Sequence, residues 1–427
     1  MTWIISSLST ALLATLLAYV TLLVMRVVRE SLGSKRREHL EEQVFRQRID
    51  QIMDKRRFEM EKNELSWNGF RKFEVVRKVA ENRDINTFYL APHDGKPLPP
   101  FLPGQYLTFE LHPEGGAAAG KPVVRCYSLS DSPNYPDRYR VSIKRVPPPR
   151  DKPDAPPGLI SNYFHDRIKE GDILNVKAPS GHFTLDMTQQ SPIVLIGGGI
   201  GVTPVLSMVN AIAESGSKRQ AWFFFGVRNS AEHIMKDHLR EIAAQHENIN
   251  VHVCYSDPDE KDQQGSDYAH AERVSVDLMK RLLPSNNFEF YICGPPPLMN
   301  QVTKDLKEWG VPSSKIYFEA FGPATVKKVA LPQPEDAAAK EAPALEVTFA
   351  KSNKTVRWSS GAGSLLELAE ANGITIDAGC RAGNCGTCLT AVKRGEVHTV
   401  VDSGAKPEAG SCLTCISVPK TAVTLDA

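Results

Sequence analysis

The chain opens on an uninterrupted apolar run: residues 3–25 carry no charge and are rich in Leu, Ala, Ile and Val. About 23 residues at ~1.5 Å each reach roughly 35 Å, enough to cross a bilayer core with some tilt. Residues 35–65 are densely charged. Leu40, Val44, Phe45, Ile49, Ile52, Met53, Phe58 and Met60 are spaced there largely by three and four, which predicts an amphipathic helix, a stalk or a docking helix. From Trp67 onward, short alternating segments broken by Pro and Gly predict an antiparallel β-barrel. Apolar runs at 192–196, 221–225 and 288–292 each meet a Gly-containing turn, the layout of a parallel α/β domain. Residues 325–344 are Ala, Pro, Lys and Glu with almost no large apolar side chain, and predict a semi-flexible linker. After it, 345–349 and 355–358 predict a hairpin, and 365–371 a short helix.

A length of 427 residues exceeds one ordinary core and implies about two to four folded domains. The pattern divides the chain into a transmembrane anchor (1–28), a charged helix or stalk (29–66), a barrel (67–188), a parallel α/β domain (189–323), the linker (324–344) and a C-terminal domain (345–427). Arg26, Arg29, Lys35, Arg36 and Arg37 follow the apolar run rather than precede it. That order argues against a cleaved signal peptide and for a single-pass span of the inner (cytoplasmic) membrane, with the rest of the chain in the cytoplasm. With 51 basic against 50 acidic residues, no global field draws the protein to nucleic acid.

The chemistry concentrates in three places. Near the C-terminus, Cys380, Cys385 and Cys388 stand in C-R-A-G-N-C-G-T-C, followed by S-C-L-T-C. The spacing C-x4-C-x2-C…C is that of a plant-type [2Fe–2S] site, whereas zinc sites pair C-x2-C knuckles across a longer gap. Ala382, Gly383 and Gly386 let the backbone curl around a cluster and aim N–H groups at its sulfurs. Both Cys412 and Cys415 stand where a fourth ligand is needed. The remaining cysteines, Cys126, Cys254 and Cys293, are scattered on apolar segments, which fits a reducing compartment rather than a disulfide framework.

Within the barrel segment, R-C-Y-S-L-S (125–130) and G-L-I-S-N-Y (158–163) suit a flavin. Arg125 can hold a pyrophosphate through charge-assisted hydrogen bonds. Tyr127 can lie against the ring or ribityl chain, and the Ser128 hydroxyl can reach flavin N5. Gly158 and Ser161 open a helix whose free N–H groups suit a phosphate. In the α/β segment the run 192–196 feeds Gly197-Gly198-Gly199-Ile200-Gly201-Val202-Thr203-Pro204. There Gly199, Gly201 and Thr203 would cradle a pyrophosphate at a helix N-terminus. Pro204 stands where a strict G-x-G-x-x-G has its last glycine. The second strand ends at G-V-R-N, with no acidic residue for a ribose hydroxyl; Arg228 can accept a 2′-phosphate.

The order of these motifs resembles the ferredoxin–NADP reductase superfamily, most closely the reductase half of flavohaemoglobins. The likeness runs through R-C-Y-S-L-S-D-S-P, Y-R-V-S-I-K-R, G-L-I-S-N-Y-F-H-D and P-S-G-H-F-T-L. The last eighty or so residues resemble plant-type ferredoxins. The resemblance implies FAD in the barrel and G-x-G-x-x-P as the nucleotide turn. It implies a nicotinamide site lined by Cys293, Gly294 and Pro295, from C-G-P-x-x-x-M. Glu319 and Phe321 would lie near the flavin, with Phe321 covering the ring face. Cys415, from the L-T-C pattern, would be the fourth cluster ligand. NADH is expected over NADPH, because similar reductases with G-x-R-N often use it. With no globin domain, nitric oxide dioxygenation does not carry over. The implied order is NADH to FAD to [2Fe–2S] to an acceptor, as in the reductase components of oxygenases. The alternatives are an NADH:quinone reductase-type subunit, weakened because there the ferredoxin precedes the reductase, and a non-enzymatic subunit docked through the 35–65 helix.

Overall fold

The computed structural model describes residues 2–113, 122–148, 153–321, 345–359, 362–379, 381, 383, 386–400 and 407–427. The linker expected at 324–344, together with Cys380 and Cys385, lies outside them. The chain divides into two compact units, Met1–Glu61 and Lys62–Ala427.

The first unit lies within α1 (Thr2–Leu65), one helix through both the expected anchor and the expected stalk. The i,i+4 pairs Arg26–Glu30 (3.1 Å) and Glu42–Arg46 (2.6 Å) lie along its surface. Among the described residues, no helix is long and apolar enough to cross a membrane. The side chains of residues 2–14 are outside that set.

The second unit opens with a six-stranded sheet built from β1 (Arg71–Ala80), β2 (Ile85–Pro92), β3 (Tyr106–Leu111), β4 (Val123–Ser128), β5 (Tyr139–Lys144) and, after α2 (Leu159–Asp166), β6 (Ile173–Ser180). The order is β4-β3-β6-β1-β2-β5, and every pairing is antiparallel. An antiparallel bridge between Leu129 and Val141 joins the two edges, closing the expected barrel. In β1 and β2, alternate residues Phe73 and Val75, and Phe88 and Leu90, point inward and are fully buried, the period-2 signature of a half-buried strand, whereas β3 is buried along nearly its whole length. Phe164 of α2 meets Phe88, Phe109 and Tyr127 edge-on at 5.2, 5.4 and 5.3 Å. Such contacts add to the ~2–3 kcal/mol gained by burying a Phe.

Next come β7 (Ile193–Gly198), α3 (Val202–Glu214), β8 (Ala221–Val227), α4 (Lys236–Gln245), β9 (Ile249–Tyr255), α5 (Val276–Leu282), β10 (Glu289–Cys293), α6 (Pro296–Glu308) and β11 (Ile316–Glu319). They form a five-stranded, wholly parallel sheet in the order β11-β10-β7-β8-β9. Successive residues of β7 serve opposite cores: Ile193 and Leu195 one, Val194 and Ile196 the other. This is why the strand reads as an unbroken apolar run. The barrel contributes Ile85, Phe183 and Leu185 to the first of these cores. Ser207 of α3 donates to the Asp131 carbonyl at 2.6 Å, tying the two domains together.

The C-terminal domain contains β12 (Leu345–Phe349), β13 (Lys354–Trp358), α7 (Leu365–Ala371), β14 (Leu389–Arg394), β15 (Val397–Thr399), β16 (Ser411–Leu413), β17 (Ser417–Pro419) and β18 (Val423–Leu425). A mixed sheet of order β13-β12-β18-β14-β16 is accompanied by a β15–β17 ribbon. Helix α7 starts on a complete capping box, Ser364 with Glu367, which satisfies two of the N–H groups a helix start leaves open. The hairpin and helix read from the sequence are both present.

Candidate functional site

In the parallel sheet, β7 is followed outward on one side by β8 and β9, and on the other by β10 and β11. The strand order therefore reverses between β7 and β10. A crevice opens at such a switch point, beyond the carboxyl ends of the strands, and ligands bind there. The turn 199–201 and the segment 294–297 both sit at this position. Gly199 has φ +53°, a left-handed conformation with open space where a side chain would be. Gly201 is the N-cap of α3, with no side chain capping the helix; the Val202 N–H is taken up by the Gly199 and Ile200 carbonyls, so an anion here would be met by the N–H groups that follow it in the first turn. The turn lies flush on its neighbour: a Cβ on Gly201 would come 2.5 Å from the Cys293 carbonyl oxygen and 2.6 Å from the Gly294 α-carbon. Thr203 is buried and donates its hydroxyl to the Ile200 carbonyl at 3.0 Å, bracing the turn. Pro295 caps the start of α6.

Cys293 ends β10 in direct register with Glu319 of β11. The thiol is fully buried and Glu319 nearly so. Burial, and then the Glu319 carboxylate, push the Cys293 thiol well above its usual range, so it is a neutral group rather than a nucleophile. Phe321 packs half-buried against the same core.

On the barrel, Arg125, Tyr127 and Ser128 share β4. The Arg125 guanidinium is half-buried; it donates to the Val124 carbonyl at 2.7 Å and enters no ion pair among the described residues. Burial, then Arg381, lower its pKa. A desolvated cation with no carboxylate at ion-pair distance among the described residues calls for an anion, so the residues present fit the pyrophosphate of a flavin dinucleotide. Tyr127 is held by Phe109 and Phe164, and burial raises its hydroxyl pKa. Ser128 is buried at the end of the strand. Gly158 is the N-cap of α2, and Ser161 braces the same loop: its hydroxyl donates to the Gly158 carbonyl (3.1 Å) and accepts from the Val146 N–H (3.2 Å).

In the C-terminal domain the thiols of Cys388 and Cys415 face one another, Sγ to Sγ 3.2 Å. Both belong to one small buried cluster with Leu366, Leu413 and Ile416, whereas Cys412 belongs to the main core of the domain. The short 3-10 turn at 414–416 swings Cys415 away from the β16 pleat and toward Cys388. Two facing thiols at that separation fit two ligands of one iron. Burial raises the Cys412 thiol pKa to about 12.

Two described residues of the C-terminal domain, Arg381 and Gly386, lie near the barrel. Gly386 faces His182 of the P-S-G-H-F segment, and a Cβ there would lie 3.6 Å from His182 Nε2. Arg381, at φ +57°, is ion-paired with Glu370 and close enough to Arg125 to lower its pKa. His182, Arg381 and Glu370 were not legible as site residues in the sequence, because their place is set by contact between domains.

Three family models tile this second unit: an oxidoreductase FAD-binding domain (72–185), an oxidoreductase NAD-binding domain (195–304) and a 2Fe-2S iron-sulfur cluster binding domain (347–420). A flavohemoprotein of Bacillus thuringiensis subsp. konkukian is 41% identical over 258 residues, 60% of this chain. One of Bordetella pertussis is 38% identical over 257 residues. The chain spans 62% of the length of the first of these relatives and 61% of the second. Among solved structures, the FAD/NAD-binding domain of nitric oxide dioxygenase from Vibrio cholerae is 31% identical with TM-score 0.52; the match covers 60% of this chain and all of that one. Phthalate dioxygenase reductase, described as a modular structure for electron transfer from pyridine nucleotides to [2Fe–2S], is 26% identical with TM-score 0.53. That match covers 84% of this chain and 98% of the other.

The chain belongs to the ferredoxin–NADP reductase-type flavin reductases fused to a [2Fe–2S] ferredoxin domain. Its domains are those of an oxidoreductase, and they support FAD, a [2Fe–2S] cluster and NADH as cofactors.

Proposed function

We propose that the protein is a membrane-anchored reductase that takes electrons from NADH and delivers them singly, through its ferredoxin domain, to an oxygenase-type protein acceptor. The observation that carries this reading is the placement of Gly386, of the ferredoxin-like domain, against His182 of the barrel segment. When bound, a flavin and a [2Fe–2S] cluster would supply two-electron acceptance and one-electron transfer respectively. The side chains bind and orient. Arg125, Gly158 and Ser161 would hold the flavin phosphates, and Tyr127 and Ser128 its ring. Gly199, Gly201 and Thr203 would hold the nucleotide pyrophosphate. Cys293, Gly294, Pro295, Glu319 and Phe321 would shape a water-poor nicotinamide end. Cys380, Cys385, Cys388 and Cys415 would hold the irons. No proton-transfer triad is required.

Two observations bear on the finer points. The chain matches nearly the whole length of a phthalate dioxygenase reductase, which supports an oxygenase partner. On α1, Leu16, Leu17, Tyr19, Val20, Leu22, Leu23, Val24 and Met25 are all more than 40% exposed. At 100° per residue these positions surround the helix, so no single protein face can cover them, and lipid is the environment that suits them.

Anaerobic titration with NADH, followed by absorbance and EPR, should bleach the flavin band and then develop a rhombic [2Fe–2S] signal. Onward reduction of quinone in preference to a protein acceptor would transfer the assignment to the quinone-reductase class. A variant lacking residues 1–30 should move from the membrane fraction to the soluble one while keeping NADH-dependent flavin reduction. Persistent sedimentation would remove the anchor from the reading.

A further inference from the structure

The end of β8 carries a feature that the G-V-R-N motif conceals. Gly226 pairs in register with Gly198, the residue just before the nucleotide turn, so Arg228 stands beside that turn where the adenosine ribose of a bound dinucleotide lies. Its side chain is not free. Arg228 Nε is 3.5 Å from the Glu232 carboxylate, and Glu232 is the less exposed partner, 29% against 53%. The intervening backbone holds Glu232 in place: Asn229 accepts from the Ala231 N–H at 3.3 Å, the Glu232 N–H donates to the Asn229 carbonyl at 3.1 Å, and the Ser230 N–H donates to Asp262 at 3.2 Å.

We infer that Glu232 is a specificity-determining residue that makes the site select NADH over NADPH. The inference rests on the nucleotide-site reading above and extends it. A 2′-phosphate approaching Arg228 would have to displace the Glu232 carboxylate, with Asp262 adding a second negative charge to the same loop. Like charges brought together at a binding site oppose the wrong ligand as effectively as missing contacts do. A ribose 2′-hydroxyl meets no such opposition and can donate to Glu232. The acidic group that a dinucleotide fold places on the ribose is thus supplied five residues beyond the strand end, at the end of a 3-10 turn.

The test uses the purified full chain in mild detergent, with 5′-AMP and 2′,5′-ADP as probes that differ only in the 2′-phosphate. Calorimetry on E232Q should show 2′,5′-ADP binding tightened roughly tenfold and 5′-AMP binding not tightened, because its 2′-hydroxyl loses a charged acceptor, with NADPH-driven flavin reduction rising in parallel. The double variant R228A/E232Q should lose that gain. Unchanged 2′,5′-ADP affinity in E232Q, or an equal gain for both probes, would overturn the inference. Failure of NADH to reduce the flavin in the unaltered chain would instead overturn the reductase reading.

Discussion

Replacing Cys415 by Ser is expected to abolish the rhombic EPR signal and visible bands of the cluster and to lower one-electron output by at least ~100-fold, while NADH-dependent flavin reduction continues at close to its original rate. Thiolate is the ligand iron–sulfur clusters require, and a hydroxyl in its place is a harder, less acidic donor. The geometry makes the prediction selective. Cys415 faces Cys388 across 3.2 Å, whereas Cys412, three residues away, belongs to the main core with Val347, Phe349 and Leu368. Cys412→Ser should therefore cost some stability, by burying a hydroxyl, yet retain the cluster spectrum. A spectrum lost in the Cys412 variant and kept in the Cys415 variant would reverse the ligand assignment. Loss of flavin reduction in either would show that the modules are not separable.

Adding one methyl group at Gly201 is expected to have the largest effect at the other end of the chain. The Cβ of Gly201→Ala would sit 2.5 Å from the Cys293 carbonyl oxygen and 2.6 Å from the Gly294 α-carbon. Both are backbone atoms that cannot rotate aside, so the β7–α3 turn and the β10–α6 turn must separate. Displacements of about 1 Å at a reacting centre cost on the order of 100-fold in rate. NADH-driven flavin bleaching in a stopped-flow instrument should fall by about that factor. Dithionite reduction of flavin and cluster should be unaffected, because the barrel and the ferredoxin domain are untouched. Equal loss of the dithionite reaction would mean that the substitution had unfolded the domain.

Much of the architecture and chemistry could be read from residue order alone. Strand 193–198 was legible because both its faces are buried, and such strands show an unbroken apolar run. Barrel strands β1 and β2 were legible because burial alternates along part of each, whereas β3 and β5 are buried along nearly their whole length. Cys380, Cys385 and Cys388 stood out as candidate [2Fe–2S] ligands because a cluster-binding loop must curl within a fixed number of residues, which makes spacing a chemical constraint. Arg125, Tyr127 and Ser128 could be picked out because a single strand presents them together.

Only the tertiary structure decided what depends on contacts between distant segments. It placed Cys415 rather than Cys412 opposite Cys388, through a short turn whose direction no local pattern announces. It set Glu232 against Arg228, where the sequence had suggested a lone cation. It brought Gly386 to His182, a meeting of two domains some two hundred residues apart. The physical reason is common to all three. Periodicity and spacing report the local demands of backbone hydrogen bonding and burial, while the orientation of a side chain toward a remote partner is fixed only once the cores have packed.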